Sequence, residues 1–275
     1  MIDGHCHISD VAFDHDREAV LQRASDAGVA AVVAVTESFA DFDAVLGFAE
    51  GHSGPYGGGL VVAPCLGVHP VQSDAETGQQ RSARLEDLEN VLQAIRSNSA
   101  RLVGIGEVGL DFQPRIASSS VEKDSQKAVL KAQVELAKEL GLPLNVHSRS
   151  AGRPTIEFLK ECNAKDVVLH AFDGRAAIVR SGVDAGYFFS VPPSIVRSEQ
   201  TQKLVNVVPL NQLLLETDSP ALGPEKQGRN EPCNLKISCE EIARIKGVSI
   251  EEVRKITMQN TLKLFSRLRT ICPRL

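Results

Sequence analysis

Met1-Ile2-Asp3-Gly4-His5-Cys6-His7 is a short run in which two histidines are spaced by a single residue. Read as the end of a β-strand, whose side chains repeat every two residues, it points His5 and His7 the same way and turns Cys6 elsewhere. Two imidazoles so placed can meet one metal ion. The same arrangement, a strand-length apolar run followed at once by a ligating side chain, recurs downstream. Glu107 follows residues 102–106, His147 follows 144–146, His170 ends 167–169, and Asp218 follows 213–215.

Working outward, eight apolar, β-branched runs suit buried parallel strands, beginning at residues 1–4, 30–35, 60–66, 102–105, 142–146, 166–169, 187–190 and 212–215. Between them lie helix-length segments with apolar residues at three- and four-residue spacing, most plainly 16–27, 85–97 and 125–140, where Gly28 and Gly141 supply stops. The glycine-rich stretch 51–59, the serine-rich 113–120 and the Gly/Pro-rich 223–234 read as loops, and 238–265 reads as two closing helices. Strands alternating with helices, eight in number, are what a closed (β/α)8 TIM barrel requires, so an α/β barrel forming one domain over 1–275 is expected.

Composition narrows the functional classes. With 275 residues, 43% hydrophobic and 24% charged, the chain is neither disordered nor fibrous. Thirty Lys+Arg against 35 Asp+Glu argue against a surface coated throughout in basic side chains for nucleic acid or anionic membrane, while a local basic patch stays open. No apolar stretch approaches the ~20 residues of a spanning helix, and the N-terminus lacks the pattern of a secretory signal, so a cytoplasmic or nuclear, non-membrane protein is expected. The six cysteines are scattered, form no Cys-x-x-Cys, and suit free thiols.

In a parallel barrel the residues just past the strands build one rim. His5, His7, Glu107, His147, His170 and Asp218 would therefore converge there. Buried imidazoles and carboxylates are expensive without partners, and a divalent cation satisfies many at once. Six donors exceed one tetrahedral ion, so two metals bridged by a carboxylate, with Glu107 the natural bridge, fit better than one. His69, in CLGVHP, adds a rim group whose role is metal, substrate or hydrogen bonding. His15 and His52 read as structural or solvated.

These motifs carry a resemblance. DGHCH at 3–7, GVHP at 67–70, GEVGLDF at 106–112, PLNVHSR at 143–149, HAFDG at 170–174, LLETDSP at 214–220 and RNEP at 229–232 stand in the order found in the TatD family of metal-dependent deoxyribonucleases, and NTLKLF at 260–265 is similar to that family's closing helix. The resemblance spans nearly the whole chain. It implies a TIM barrel with His5, His7 and Asp218 on one metal, His147 and His170 on the other, and Glu107 between them. The chain departs from the commoner pattern at Ser150, where an acid is frequent, and at Asp173, where Ser or Thr is usual; both changes bear on substrate range more than on metal binding.

Phosphodiester hydrolysis at such a site needs an activated water and neutralised phosphoryl oxygens. Asp218 is the candidate to orient the water and accept its proton, with Glu107 and His69 beside it in the catalytic set, and His69 and Arg149 the candidates to hold phosphate. Glu216 shares the face of Asp218 or pairs with a cation. Arg153, Arg175, Lys226 and Arg229 are candidates for a local basic rim. No base-reading module is present, so DNA ends or single strands are the expected substrate, with Zn²⁺, Mn²⁺ or Mg²⁺ as the pair of divalent ions. The rival readings are an amidohydrolase-like esterase or amidase acting on a small or tRNA-linked substrate, and a metal-stabilised binding protein without turnover.

Overall fold

The computed structural model describes residues 1–52, 59–74 and 76–273. Among these residues ten strands form, β1 (Ile2–Cys6), β2 (Ala31–Val35), β3 (Val61–Leu66), β4 (Val71–Ser73), β5 (Gln80–Ser82), β6 (Gly104–Asp111), β7 (Leu144–Arg149), β8 (Val167–Leu169), β9 (Phe188–Val191) and β10 (Leu213–Leu215). Eight of them make one parallel sheet in the order β1-β2-β3-β6-β7-β8-β9-β10, while β4 and β5 pair antiparallel as a separate hairpin. The helices between and after them are α1 (Arg17–Asp26), α2 (Phe42–Gly51), α3 (Val91–Asn98), α4 (Ser120–Leu140), α5 (Gly152–Glu161), α6 (Ala176–Asp184), α7 (Glu199–Val207), α8 (Leu235–Lys246), α9 (Ile250–Leu264) and α10 (Leu268–Ile271). This is the TIM-barrel architecture, each expected run supplying one barrel strand.

The barrel closes at the seam between β10 and β1 through the segment just past β10. Asp218 N donates to His5 O at 2.9 Å and His7 N to Ser219 O at 2.9 Å. Buried Asp3 ties the same seam, accepting from Thr217 N at 2.9 Å and Thr217 Oγ1 at 2.5 Å. Alternation along the strands sorts side chains between two cores. Val33, Val35, Ala63, Cys65 and Val168 fill the lumen with Phe265, while Val32, Ala34, Val62 and Leu169 face the helices. Cys6 belongs to the helix-facing set, on the opposite side from His5.

Three sequence boundaries shift, each for a physical reason. Strand β6 was expected to stop at 105, yet it runs on through Glu107 to Asp111 because glycines let it press against β7. A Cβ on Gly109, whose φ is 150°, would sit 2.0 Å from His147 O. Helix α4 begins five residues before the expected 125, inside the serine-rich stretch, because Ser119 and Glu122 form a capping box: Glu122 N donates to Ser119 Oγ at 3.2 Å and Ser119 N to Glu122 Oε2 at 2.8 Å. The expected helix 85–97 splits into a 3₁₀ turn, Leu85–Leu88, and α3, because Asn90 takes the left-handed conformation, φ 64°. Of the glycine-rich 51–59 stretch, 53–58 lie outside the described residues. Among the described residues no helix is long and apolar enough to cross a membrane.

Candidate active site

Glu107 sits at the centre of the C-terminal rim and divides it. Its Oε2 lies 3.5 Å from His5 Nε2 and 3.3 Å from His7 Nε2, and both of those nitrogens lie 3.3 Å from Asp218 Oδ1. Its Oε1 lies 2.8 Å from His147 Nδ1 and 2.7 Å from His170 Nε2. His69 Nε2 stands 3.5 Å from the same Oε1. Of the seven side chains singled out from the sequence, five histidines are thus gathered on Glu107, and Asp218 joins them through His5 and His7. They arrive there because β1, β6 and β7 carry His5, Glu107 and His147 within the strands, while His7, His69, His170 and Asp218 follow β1, β3, β8 and β10. Asp218 holds a left-handed backbone, φ 53°, fixed by its N–H on His5 and by Ala221 N donating to its carbonyl at 2.8 Å.

Buried neighbours orient the rings. Asn145 Oδ1 lies 2.9 Å from His5 Nδ1, and its Nδ2 donates to Gly4 O at 2.9 Å. The amide oxygen only accepts, so Nδ1 of His5 carries a proton in every state, and in the neutral ring Nε2 has its lone pair toward the rim. Asp111 Oδ2 lies 3.6 Å from His147 Nε2, and Glu216 Oε2 lies 3.9 Å from His170 Nδ1, both ring atoms being buried and without a hydrogen-bond partner among the described residues. Val71 offers His69 Nδ1 its N–H at 3.1 Å and its carbonyl at 3.2 Å. That carbonyl already accepts from Gln72 Nε2 at 3.1 Å, whereas the N–H can only donate. The neutral ring of His69 therefore carries its proton on Nε2, facing the cavity, which makes it a hydrogen-bond donor there.

The electrostatics of the rim call for positive charge. Burial opposes ionisation of every ring, but at His7 the hydrogen bonds to Asp218 and Glu107 outweigh it and hold the imidazolium up to about 10. At His147 burial is outweighed by Asp111 and Glu107, to about 9. His5 is likewise raised, against burial, by the Glu107 charge. His170 falls to about 4 through burial and the neighbouring His5 charge, and His69 falls to about 3 chiefly through burial. Despite burial, Glu107 and Asp218 are held well below the usual carboxylate range, Glu107 first by His170 and Asp218 first by its hydrogen bond to His5.

A donor set of this kind fits divalent cations. His5 and His7 bring Nε2 atoms 3.3 Å apart, and His147 Nδ1 lies 3.2 Å from His170 Nε2, each pair converging on the same carboxylate oxygens. Lone pairs so crowded repel unless protons or a cation lie among them. Among the described residues three groups have donor atoms within 4.8 Å of one another: His5, His170 and Asp218; His5, His7 and Glu107; and His69, Glu107 and His147. Imidazole with carboxylate is a set that suits Zn²⁺, Mn²⁺ and related ions.

The cavity over this cluster measures about 330 Å³ and is lined by the rim residues other than fully buried His5, together with Asp10, Glu37, Gln72, Gln80, Gln113, Arg115 and Arg149. Arg149 thus faces the place the sequence assigned it. The four other cations considered for the rim do not line this cavity. Arg229 instead grips Asp16 at 2.6 and 2.7 Å and Glu231 at 2.8 Å, Arg153 stands 3.8 Å from Glu157, and Arg175 and Lys226 are exposed elsewhere. Glu216 is buried behind His170, accepting from Ala171 N at 2.8 Å and from Ser190 Oγ, with burial pushing its carboxyl up to about 8. His52 bonds Phe48 O and Glu18, away from the rim. Sequence reasoning passed over Asn145, Asp111 and Arg115. Asn145 was the most legible of them, a lone amide inside the apolar strand 142–146.

Histidines and carboxylates gathered at the C-terminal mouth of a parallel eight-stranded barrel define a metal-dependent hydrolase. The chain belongs to the TatD family: the family model described as "TatD related DNase" matches residues 2–266. It is 54% identical over 269 residues to the Homo sapiens protein named Deoxyribonuclease TATDN3, covering 98% of this chain and 96% of the human one. It is 32% identical over 266 residues to an uncharacterized metal-dependent hydrolase of Methanocaldococcus jannaschii, covering 97% of each. Among solved structures, YJJV, a TatD homologue of Escherichia coli, superposes with a TM-score of 0.81 at 28% identity, covering 97% of this chain and 98% of that one.

Proposed function

We propose that the chain is a two-metal deoxyribonuclease that hydrolyses phosphodiester bonds at DNA ends or in single strands. The observation that carries this reading is the division of Glu107, one oxygen toward His5 and His7 and the other toward His147 and His170. His5, His7, Asp218 and Glu107 would hold one divalent ion, and His147, His170 and Glu107 a second. Zn²⁺, Mn²⁺ or Mg²⁺ so held would lower the pKa of a water and neutralise phosphoryl oxygens.

The chain's own residues do the rest. Asp218, held as a carboxylate, orients the attacking water and accepts its proton. His69 donates a hydrogen bond from Nε2 to a non-bridging phosphoryl oxygen, and the Arg149 guanidinium gives paired donors to the same phosphate. The name of the human relative supports DNA as substrate. The uneven charge of the mouth supports cleavage at an end: Asp10 and Glu37 lie beside β1 and β2, where they disfavour a continuing phosphate backbone, and Arg115 and Arg149 lie beside β6 and β7.

A time course on end-labelled single- and double-stranded DNA with each divalent ion in turn tests this. Nucleotides released successively from one end are expected. Hydrolysis of a carboxylic ester or amide with DNA left intact would overturn the reading in favour of an amidohydrolase-like activity.

A further inference from the structure

Two guanidiniums line the same side of the cavity, and their settings differ. Arg149 ends β7, two residues beyond His147. Arg115 lies in the loop between β6 and α4, where one terminal nitrogen donates to Gln80 Oε1 on β5 and the other to Gln113 Oε1 at 3.1 Å. Gln80, Gln113 and Arg115 all line the cavity. Both anchors are neutral amides. Arg81 and Arg229, by contrast, are anchored by carboxylates that cancel their charge, Asp87 at 2.6 Å and Asp16, while Arg267, held by the carbonyls of Ser99, Leu102 and Leu140, does not line the cavity. Among the described residues no carboxylate pairs with Arg115, which is thus held in place with its charge uncancelled.

A fixed, uncancelled guanidinium beside a hydrolytic centre is an anion site, because paired N–H donors match phosphate oxygens and little side-chain entropy is left to lose on binding. The phosphate under attack already has His69 and Arg149. The opposite side, with Asp10 and Glu37, repels phosphate. On the Arg115 side the one carboxylate, Asp111, faces His147 at 3.6 Å, so Arg115 and Arg149 leave that side the one that favours the next phosphate of a strand.

We propose that Arg115, positioned by Gln80 and Gln113, binds the phosphate adjacent to the scissile one, and so makes the enzyme select oligonucleotides over isolated phosphodiesters. The β4–β5 hairpin then acts as part of the substrate wall, through Gln80. This inference rests on the phosphodiesterase reading above.

The test compares kcat/KM for the thymidine dinucleotide d(TpT), which has one phosphate, with the trinucleotide d(TpTpT), which has two. The metal-loaded wild type is expected to prefer the trimer by about tenfold, the worth of one charge-assisted hydrogen-bonded contact. Arg115→Ala should lose that preference while keeping its dimer rate, and should show a shallower dependence of trimer KM on salt. Equal loss on both substrates, or an undiminished trimer preference, overturns the proposal. So does a wild type indifferent to length. Should Arg115→Ala fail to fold, Gln80→Glu sets a carboxylate against the guanidinium and must abolish the preference in the same way; an unchanged preference there overturns it too. A wild type that cleaves neither nucleotide yet hydrolyses an ester or amide brings down the phosphodiesterase reading itself.

Discussion

Asn145 Oδ1 accepts a hydrogen bond from His5 Nδ1 at 2.9 Å, across 140 residues of sequence, and thereby fixes the proton of the neutral His5 ring on Nδ1, leaving Nε2 for the rim. The same amide clamps Gly4 O, so one buried side chain sets both the backbone and the tautomer of the first ligand candidate. Ligating histidines held in this way lose affinity when the partner is removed.

Asn145→Ala is therefore expected to weaken metal binding about ten- to a hundredfold. It should also destabilise the protein by roughly 1–3 kcal/mol, since two buried groups lose their partner. Equilibrium dialysis and thermal melting on one preparation measure both, and unchanged metal affinity in the variant would remove Asn145 from the site's support.

Glu107→Gln keeps the volume of the central side chain and removes its charge. Metal content should fall and DNA hydrolysis should drop to background, because the rings on both sides lose the carboxylate they share. Near-normal turnover would contradict the two-metal reading.

Cys6 gives the opposite expectation. Its thiol is buried on the helix side of the barrel, 4.0 Å from Ser219 O, and burial pushes it well above the ordinary thiol range. Cys6→Ser should keep its metal and its activity; loss of metal from a folded variant would make Cys6 a ligand.

Arg149 lines the cavity, and no ion pair of its guanidinium is found among the described residues. Arg149→Ala should lower kcat/KM on DNA strongly, Arg149→Lys less, with metal content and melting temperature unaltered in both. A stable Arg149→Ala protein of full activity would exclude it from substrate binding.

Chelation should expose a pH dependence. Without metal, His7 and His147 keep their protons to about 10 and about 9, whereas unfolded histidine loses its proton near the ordinary value of 6.5. The folded form then binds more protons than the unfolded one across that interval, so the stabilisation is complete below pH 6.5 and is lost as pH rises through 9 to 10. Melting temperature of the chelated protein should fall across this window while that of the metal-loaded protein stays nearly level. Parallel curves would show that the rim histidines are not exchanging protons for metal.

The barrel was legible because its strands are buried on both faces and so read as unbroken apolar runs. The β4–β5 hairpin escaped for the converse reason: Val71-Gln72-Ser73 and Gln80-Arg81-Ser82 are short, largely polar and partly exposed, with no core face to give them a period. Rim histidines and carboxylates could be found by their place after strands. Arg115 could not, because what sets it apart is an amide anchor on a distant hairpin. The reading of Arg229 as a rim cation failed likewise, since only the fold brings Asp16 to it.

The seam has a consequence for synthesis. Asp3 meets Thr217 across 214 residues, and His5 meets Asp218 beside it. During translation His5 and His7 emerge well ahead of Asp218 and wait until the carboxylate that completes their side of the rim exists. A nascent or truncated chain that stops short of Asp218 has neither a closed barrel nor the full set of candidate ligands, so completion of the barrel and of the rim is deferred until Asp218 has been made.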